Sequence, residues 1–255
     1  MICCALVAAL LAAAPPARDA PLPSSPAPLA RAIASEDAAV RRFDESADLH
    51  ALYLQRALRM LSRHPALAAR VVGRLPPRSA ALTRNVTVAM RELRRLSAGW
   101  PPHRIKVGAP EPLDRLRGFY AAAQRRFGVS RHLLAAVNLV ESDFGRLRNE
   151  SVSGAQGPMQ FMPATWAVYG LGGNVRDPRD AVMGAANYLH RSGAPRDNAT
   201  ALHHYNPSPL YVDAVLRYAN QMKRDVRAFY GYYAWQVWIR TASGPRRITG
   251  PGLRR

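Results

Sequence analysis

The sequence predicts a mainly α-helical protein, with room for a short β segment only at its C-terminal end. Three observations carry this. Apolar residues recur at helical spacing over most of the chain. Ser, Asp and Pro stand where helices start, and glycines stand where they stop. No convincing two-residue alternation appears before residue 230.

The chain has 255 residues and 48% hydrophobic content, enough for one or two ordinary domains with a packed core. Ile2 to Ala14 is apolar and uncharged, too short to span a bilayer comfortably and suited to the core of a secretory signal, although no basic residues precede it. The alternative is an uncleaved short anchor. Both cysteines, Cys3 and Cys4, lie in this segment, so a mature chain would have neither a disulfide nor a cysteine-ligated metal. Pro15 to Pro28 reads as an extended, unpacked linker, which makes residues 1–34 a signal or anchor followed by a spacer.

Residues 35–105 read as a helical region, a hairpin of two amphipathic helices. Leu49, Leu52, Tyr53, Ala57, Met60 and Leu61 make one stripe; Leu82, Val86, Ala89, Met90, Leu93 and Leu96 make the other. The Pro- and Gly-rich stretch from Gly99 to Pro112 then breaks the pattern and marks a boundary. Over residues 106–228 the helical signals return. Leu113 to Phe127 is closed by Gly128. Ser130 caps the helix that carries HLLAAVNLVES. Pro163 and Gly170 bracket a short helix. Asp177 caps one that Pro178 opens, and Ser208-Pro209 starts the last, with Val212, Val215, Leu216, Ala219 and Met222 facing inward. Residues 229–255 form an aromatic and basic tail in which Trp235, Val237 and Ile239 alternate as in a short strand. Its aromatics suit packing against its own domain better than stacking on sugars.

The formal charge of +19 is almost all arginine and suits a polyanionic neighbourhood, but charge of this kind also follows from composition alone. No nucleic-acid-binding motif accompanies it, so no nucleic acid partner is expected. His203 and His204 lack a third ligand at helical spacing and there is no HExxH, so neither a metal nor a cofactor is expected; the two histidines are placed in or beside the cleft.

One acid stands out. Glu141 ends the helix begun after Ser130, and counting back four and seven residues gives Val137 and Leu134, so it lies on the apolar face. Burial and the negative helix end both disfavour its charged form, which suits a general acid. Asp143, two residues on, would point elsewhere if the helix continued. After it, Ser151, Ser153, Gly154, Ala155 and Gly157 let backbone approach a ligand, and Met159, Gln160, Phe161 and Met162 offer apolar surface with one amide.

These motifs, ESDFG at 141–145, SVSGAQGPMQFMPATW at 151–166 and HYNP at 204–207, resemble the catalytic core of the soluble lytic transglycosylases, which have a lysozyme-like fold; DPRDAVMGAANYL at 177–189 is more like the membrane-bound B-type enzymes. The resemblance covers roughly residues 113–227. It implies peptidoglycan glycan strands as substrate; the positive charge adds other anionic cell-wall polymers as further partners. The reaction the resemblance implies is cleavage between N-acetylmuramic acid (MurNAc) and N-acetylglucosamine (GlcNAc), leaving a 1,6-anhydro end, outside the cytoplasmic membrane. It implies Glu141 as the sole acid/base and Ser151, with Ser153 as a near alternative, assisting the acetamido group. Met159, Gln160 and Phe161 then belong to the cleft wall, Tyr205 orients the acid, and Asn206 accompanies it. Pro158 and His204 depart from the family's leucine and alanine, and the spacing from Glu141 to Ser151 is one residue longer than in the simplest pattern. The rivals are a muramidase that uses water with Asp143 or Asp177, and a glycan-binding protein without activity.

Overall fold

The structure is a computed structural model, described here for residues 14–96, 105–241 and 243–253. The expected signal or anchor, including both cysteines, and the first part of the expected boundary lie outside these residues. Among the described residues there are eleven helices and one two-stranded sheet, and no helix is long and apolar enough to cross a membrane.

The N-terminal part holds more helices than a hairpin. The helices α2 (Ala47–Leu61) and α4 (Pro77–Leu96) follow the two expected stripes. Two further helices, α1 (Pro26–Val40) and α3 (Pro65–Val72), each open on a proline that pre-sets the first turn. Helix α1 therefore begins inside the Pro-rich stretch, and the residues before it are not an unpacked spacer. Tyr53 donates to the Pro21 carbonyl at 3.3 Å, Arg56 donates to the Ala20 carbonyl at 2.8 Å, and Leu22 packs against the core. Proline removes donors but leaves carbonyls, and donors from α2 take them. Helix α2 is buried on nearly every side, polar His50 and Gln55 included, so it lies inside the molecule and not on its surface.

The remaining helices are α5 (Leu113–Phe127), α6 (Arg131–Ser142), α7 (Pro163–Tyr169), α8 (Pro178–Arg191), α9 (Asn198–Tyr205), α10 (Pro209–Arg224) and α11 (Val226–Tyr233). Their ends follow the chemistry of the sequence. Gly128 closes α5 in the left-handed conformation at φ 72°. Ser130 accepts from the His132 N–H at 3.3 Å, and Asp177 accepts from the Asp180 N–H at 3.0 Å. The tail forms a hairpin of β1 (Trp238–Thr241) and β2 (Gly244–Arg247), antiparallel with Trp238 opposite Arg247.

One hydrophobic core runs through all of this, from Leu29 and Leu58 through Val86 and Leu134 to Tyr232 and Trp235. Helix α10 is its organiser, packing on α4 on one side and on α6 on another. Its buried face is Tyr211, Ala214, Val215, Tyr218, Ala219, Gln221 and Met222, while Val212 and Leu216 are half-buried. The expected face is thus rotated towards the tyrosines. Tyrosine carries an apolar body with a polar tip, so it enters a core when the tip finds a partner.

Candidate active site

Helix α6 delivers Glu141 to the floor of a cleft of about 920 Å³. Its helical neighbours Leu134 and Val137 are fully buried, as the periodicity predicts. From α10, Tyr211 donates a hydrogen bond to Glu141 Oε1 at 2.6 Å. Burial pushes the Glu141 carboxyl up to about 7, against the Tyr211 hydrogen bond, which favours the ionised form. The group therefore carries its proton for much of the time near neutrality and can give it up. Tyr211 was not among the residues the sequence put forward. The signal was present: Tyr211, Val215, Tyr218 and Met222 are spaced by four, three and four residues, an apolar helical stripe once tyrosine is counted as apolar.

The helix ends in a tight reversal. Asp143, Phe144 and Gly145 all have positive φ, at 49°, 60° and 81°. This overturns one expectation. Asp143 is no longer helical, so the spacing argument that turns it away from Glu141 fails, and it lines the same cleft. Its carboxyl is pushed up to about 6 by burial, with Arg146 and Arg59 pulling it down. The two acids thus sit in one cleft in different settings, one beside a tyrosine and one beside arginines.

The loop that follows is held from both ends. Ser142 Oγ donates to the Pro158 carbonyl at 2.6 Å and accepts from the Gly145 N–H at 2.9 Å. Gly157 has φ 74°, and a Cβ there would fall 1.9 Å from the Val175 carbonyl oxygen, so no other residue fits. Gln160 donates to the Gly157 carbonyl at 2.9 Å and to the Asn149 carbonyl at 3.2 Å. Ser151 Oγ accepts from the Ala155 N–H at 2.9 Å, closing a turn that presents Ser151 and Ser153 to the cleft.

Of the residues singled out in the sequence, Glu141, Ser151, Ser153, Gln160 and Asn206 line the cleft. Met159 and Phe161 do not. Met159 is fully buried, and Phe161 packs edge-on to Trp166 and Tyr205 at 5.1 and 5.8 Å between ring centroids. Tyr205 donates to the Met159 carbonyl at 2.6 Å, so its hydroxyl holds the loop while Tyr211 holds the acid. His203 and His204 are exposed on the last turn of α9 and stand outside the cleft lining; the spacing alone could not tell the wall from the surface beside it.

Much of the rest of the cleft lining comes from parts of the chain that the site motifs do not touch. Helix α4 contributes Met90, Leu93, Leu96 and Arg94; α2 contributes Gln55 and Arg59, with Arg63 just beyond it; the C-terminal hairpin contributes Trp238, Ile239 and Arg240. Buried Gln55 ties the tail to α2. It donates to the Gln236 carbonyl at 2.9 Å and accepts from the Gln236 N–H and the Trp238 indole N–H, both at 3.1 Å. Arg59 lies 4.8 Å from the Trp238 ring centroid. Trp235, itself buried, packs on Tyr218 and Tyr232 and lines the same cleft.

No curated protein and no solved structure matches the chain significantly. A family model does match: the transglycosylase SLT domain, over residues 119–227. That segment contains Glu141, the loop, Tyr205, Asn206 and Tyr211, and it leaves out α1 to α4 and the C-terminal hairpin. Residues 119–227 are therefore similar to the transglycosylase SLT domain, and the match takes in every site motif singled out in the sequence.

Proposed function

We propose that this protein is a lytic transglycosylase that cleaves the MurNAc–GlcNAc bond of peptidoglycan without water and leaves a 1,6-anhydro end. It would act outside the cytoplasmic membrane, secreted or held there by the N-terminal apolar segment, because its substrate lies there. The observation that carries the reading is the setting of Glu141: half-buried at the cleft, pushed up to about 7 by that burial, with one oxygen held by Tyr211. A group that must first give a proton and then take one works best near the ambient pH.

Neutral Glu141 gives its proton to the glycosidic oxygen as the C1–O bond breaks. The substrate's acetamido oxygen stabilises C1, and Ser151, its oxygen fixed by the Ala155 N–H, donates to that acetamido group. Glu141, now a carboxylate favoured by the Tyr211 hydrogen bond, takes the proton of the C6 hydroxyl as O6 bonds to C1. The proton is back where it began, and the nucleophile belongs to the substrate, so no base is needed to activate water.

A second reading has a specific support. Asp143 lines the same cleft, and a muramidase needs a second carboxylate. Against it, Asp143 interacts with Arg146 and Arg59, and no influence of Asp143 on the Glu141 carboxyl is resolved. Mass spectrometry of products from purified peptidoglycan decides between the two. Anhydro ends are expected from the wild type; reducing ends, heavier by one water, would make the protein a hydrolase. Glu141→Gln is expected to lower the rate by about a thousandfold, within the usual range for loss of a general acid. Retained cleavage by that variant would remove Glu141 from the mechanism.

A further inference from the structure

The part of the cleft lining that comes from α2, α4 and the hairpin is more strongly charged than cleavage of a sugar bond requires. Four guanidinium groups meet along it: Arg59 from α2, Arg63 just after it, Arg94 from α4 and Arg240 from β1. They come from three separate stretches of chain, so neighbourhood in sequence does not explain the cluster. The Arg240 side chain donates to the Arg94 carbonyl at 3.2 Å, which joins the hairpin to α4 at this point. Among the described residues, none of the four forms an ion pair, although other arginines such as Arg41, Arg115 and Arg217 do. Asp143 acts on Arg59.

The cluster carries a penalty. Burial and then Arg63 together lower Arg59 to about 10, against Asp143; Arg94 is lowered by burial and then by Arg63 and Arg240. Like charges gathered in a partly desolvated wall repel each other, and a bound anion relieves that repulsion. Trp238 and the apolar side chains of Met90, Leu93 and Ile239 lie among them, so the wall offers apolar contact beside the charge. A strand stripped of its peptides keeps only the lactyl carboxylate held close to each MurNAc ring, within short reach of the sugar backbone. A glycan carrying short peptides that end in carboxylates would answer the guanidinium groups.

We propose that the wall formed by Arg59, Arg63, Arg94, Arg240 and Trp238 is a subsite for the carboxylates of peptide stems on the glycan, so that the protein selects stem-bearing over denuded strands. This rests on the reading of the cleft as a peptidoglycan site. It adds that selectivity lies outside the matched domain, in the N-terminal helices and the C-terminal hairpin.

The test compares kcat/KM on three substrates: stem-bearing strands, strands stripped of stems by an amidase, and stem-bearing strands whose carboxylates have been converted to amides. The wild type is expected to prefer the first over the other two by about tenfold. Arg63→Gln and the pair Arg63→Gln with Arg240→Gln, both checked for unchanged melting, should bring that ratio towards one, chiefly through KM. A wild-type ratio near one overturns the proposal, as does a ratio that the variants leave unchanged. Preference for stem-bearing strands that survives amidation would show recognition of peptide without its charge, and would also overturn it. If the wild type cleaves none of the substrates, the lytic reading fails by itself, and calorimetry with a soluble stem-bearing disaccharide still decides. Binding weakened about tenfold in the variants supports the subsite; binding equal to wild type, or no binding to the wild type, removes it.

Discussion

The two walls of the cleft are built on opposite chemistry. The Glu141 wall, from α6, the following loop and α10, has few charges and sets its acid by burial and one tyrosine. The other wall, from α2, α4 and the hairpin, is crowded with arginine. Had the arginines faced Glu141 closely, they would have held it ionised and unfit to give a proton. Arg59 acts on Asp143 instead. The comparison teaches that a strongly basic protein can keep one carboxyl neutral by spacing its charges across a cleft, and that two acids in one cleft need not be two catalytic groups.

The largest expected effect tests the burial of Glu141. Its ordinary value is 4.5 and its folded value about 7. Below 4.5 the group is protonated in both states and does not affect stability. As pH rises from there, the unfolded chain releases the proton first, so stability falls until pH passes about 7, a penalty of about 3 kcal/mol at most. Glu141→Gln lacks the penalty and should therefore be more stable than wild type at pH 8 while losing cleavage. Equal melting of the two proteins across pH 4–8, followed by calorimetry, would mean that burial does not set this group. The activity itself should hold below about 7 and decline above it, as the acid form is lost.

Tyr211→Phe comes next. Its hydrogen bond pulls the Glu141 carboxyl down, so its loss should move the falling limb of the pH–rate profile to higher pH and slow cleavage by about tenfold. Tyr205→Phe is the contrast: it loses a bond to the Met159 carbonyl and should lower stability by about 1 kcal/mol with the limb in place. A moved limb in Tyr205→Phe and a fixed one in Tyr211→Phe would reverse the two roles.

Gln55→Ala tests how the second wall is attached. It strips three hydrogen bonds from a buried junction and should cost about 2 kcal/mol, with earlier proteolysis of the hairpin than of the helices. Unaltered protease resistance would mean that the tail is held elsewhere. Smallest of all is Asp143→Asn. On the lytic reading it should change the rate by no more than about fivefold, because Glu141 alone gives and takes the proton while Asp143 interacts with Arg146 and Arg59. A loss as deep as that of Glu141→Gln would favour the hydrolase.

Much was legible in the chain because it is local. Helix caps, proline starts and glycine stops depend on a few adjacent residues, so Ser130, Asp177 and Gly128 could be placed directly. So could Glu141, because a period of 3.6 residues fixes which face of α6 it shares with Leu134 and Val137. Ser151, Ser153, Gln160 and Asn206 belong to the same local motifs and reach the cleft. Tertiary structure decided the rest. Met159 and Phe161 turn into the core because a loop's facing follows from its anchors, here Ser142 and Tyr205, and a motif does not encode that. Asp143 enters the cleft because the helix reverses after Ser142 and its period stops with it. Arg59, Arg94 and Arg240 lie far apart in the chain, and only the core that joins α2, α4, α10 and the hairpin makes them neighbours. The sequence by itself determined the acid and the helix that carries it. What shares the cleft with that acid is a matter of long-range packing, because charge acts through space and not along the chain.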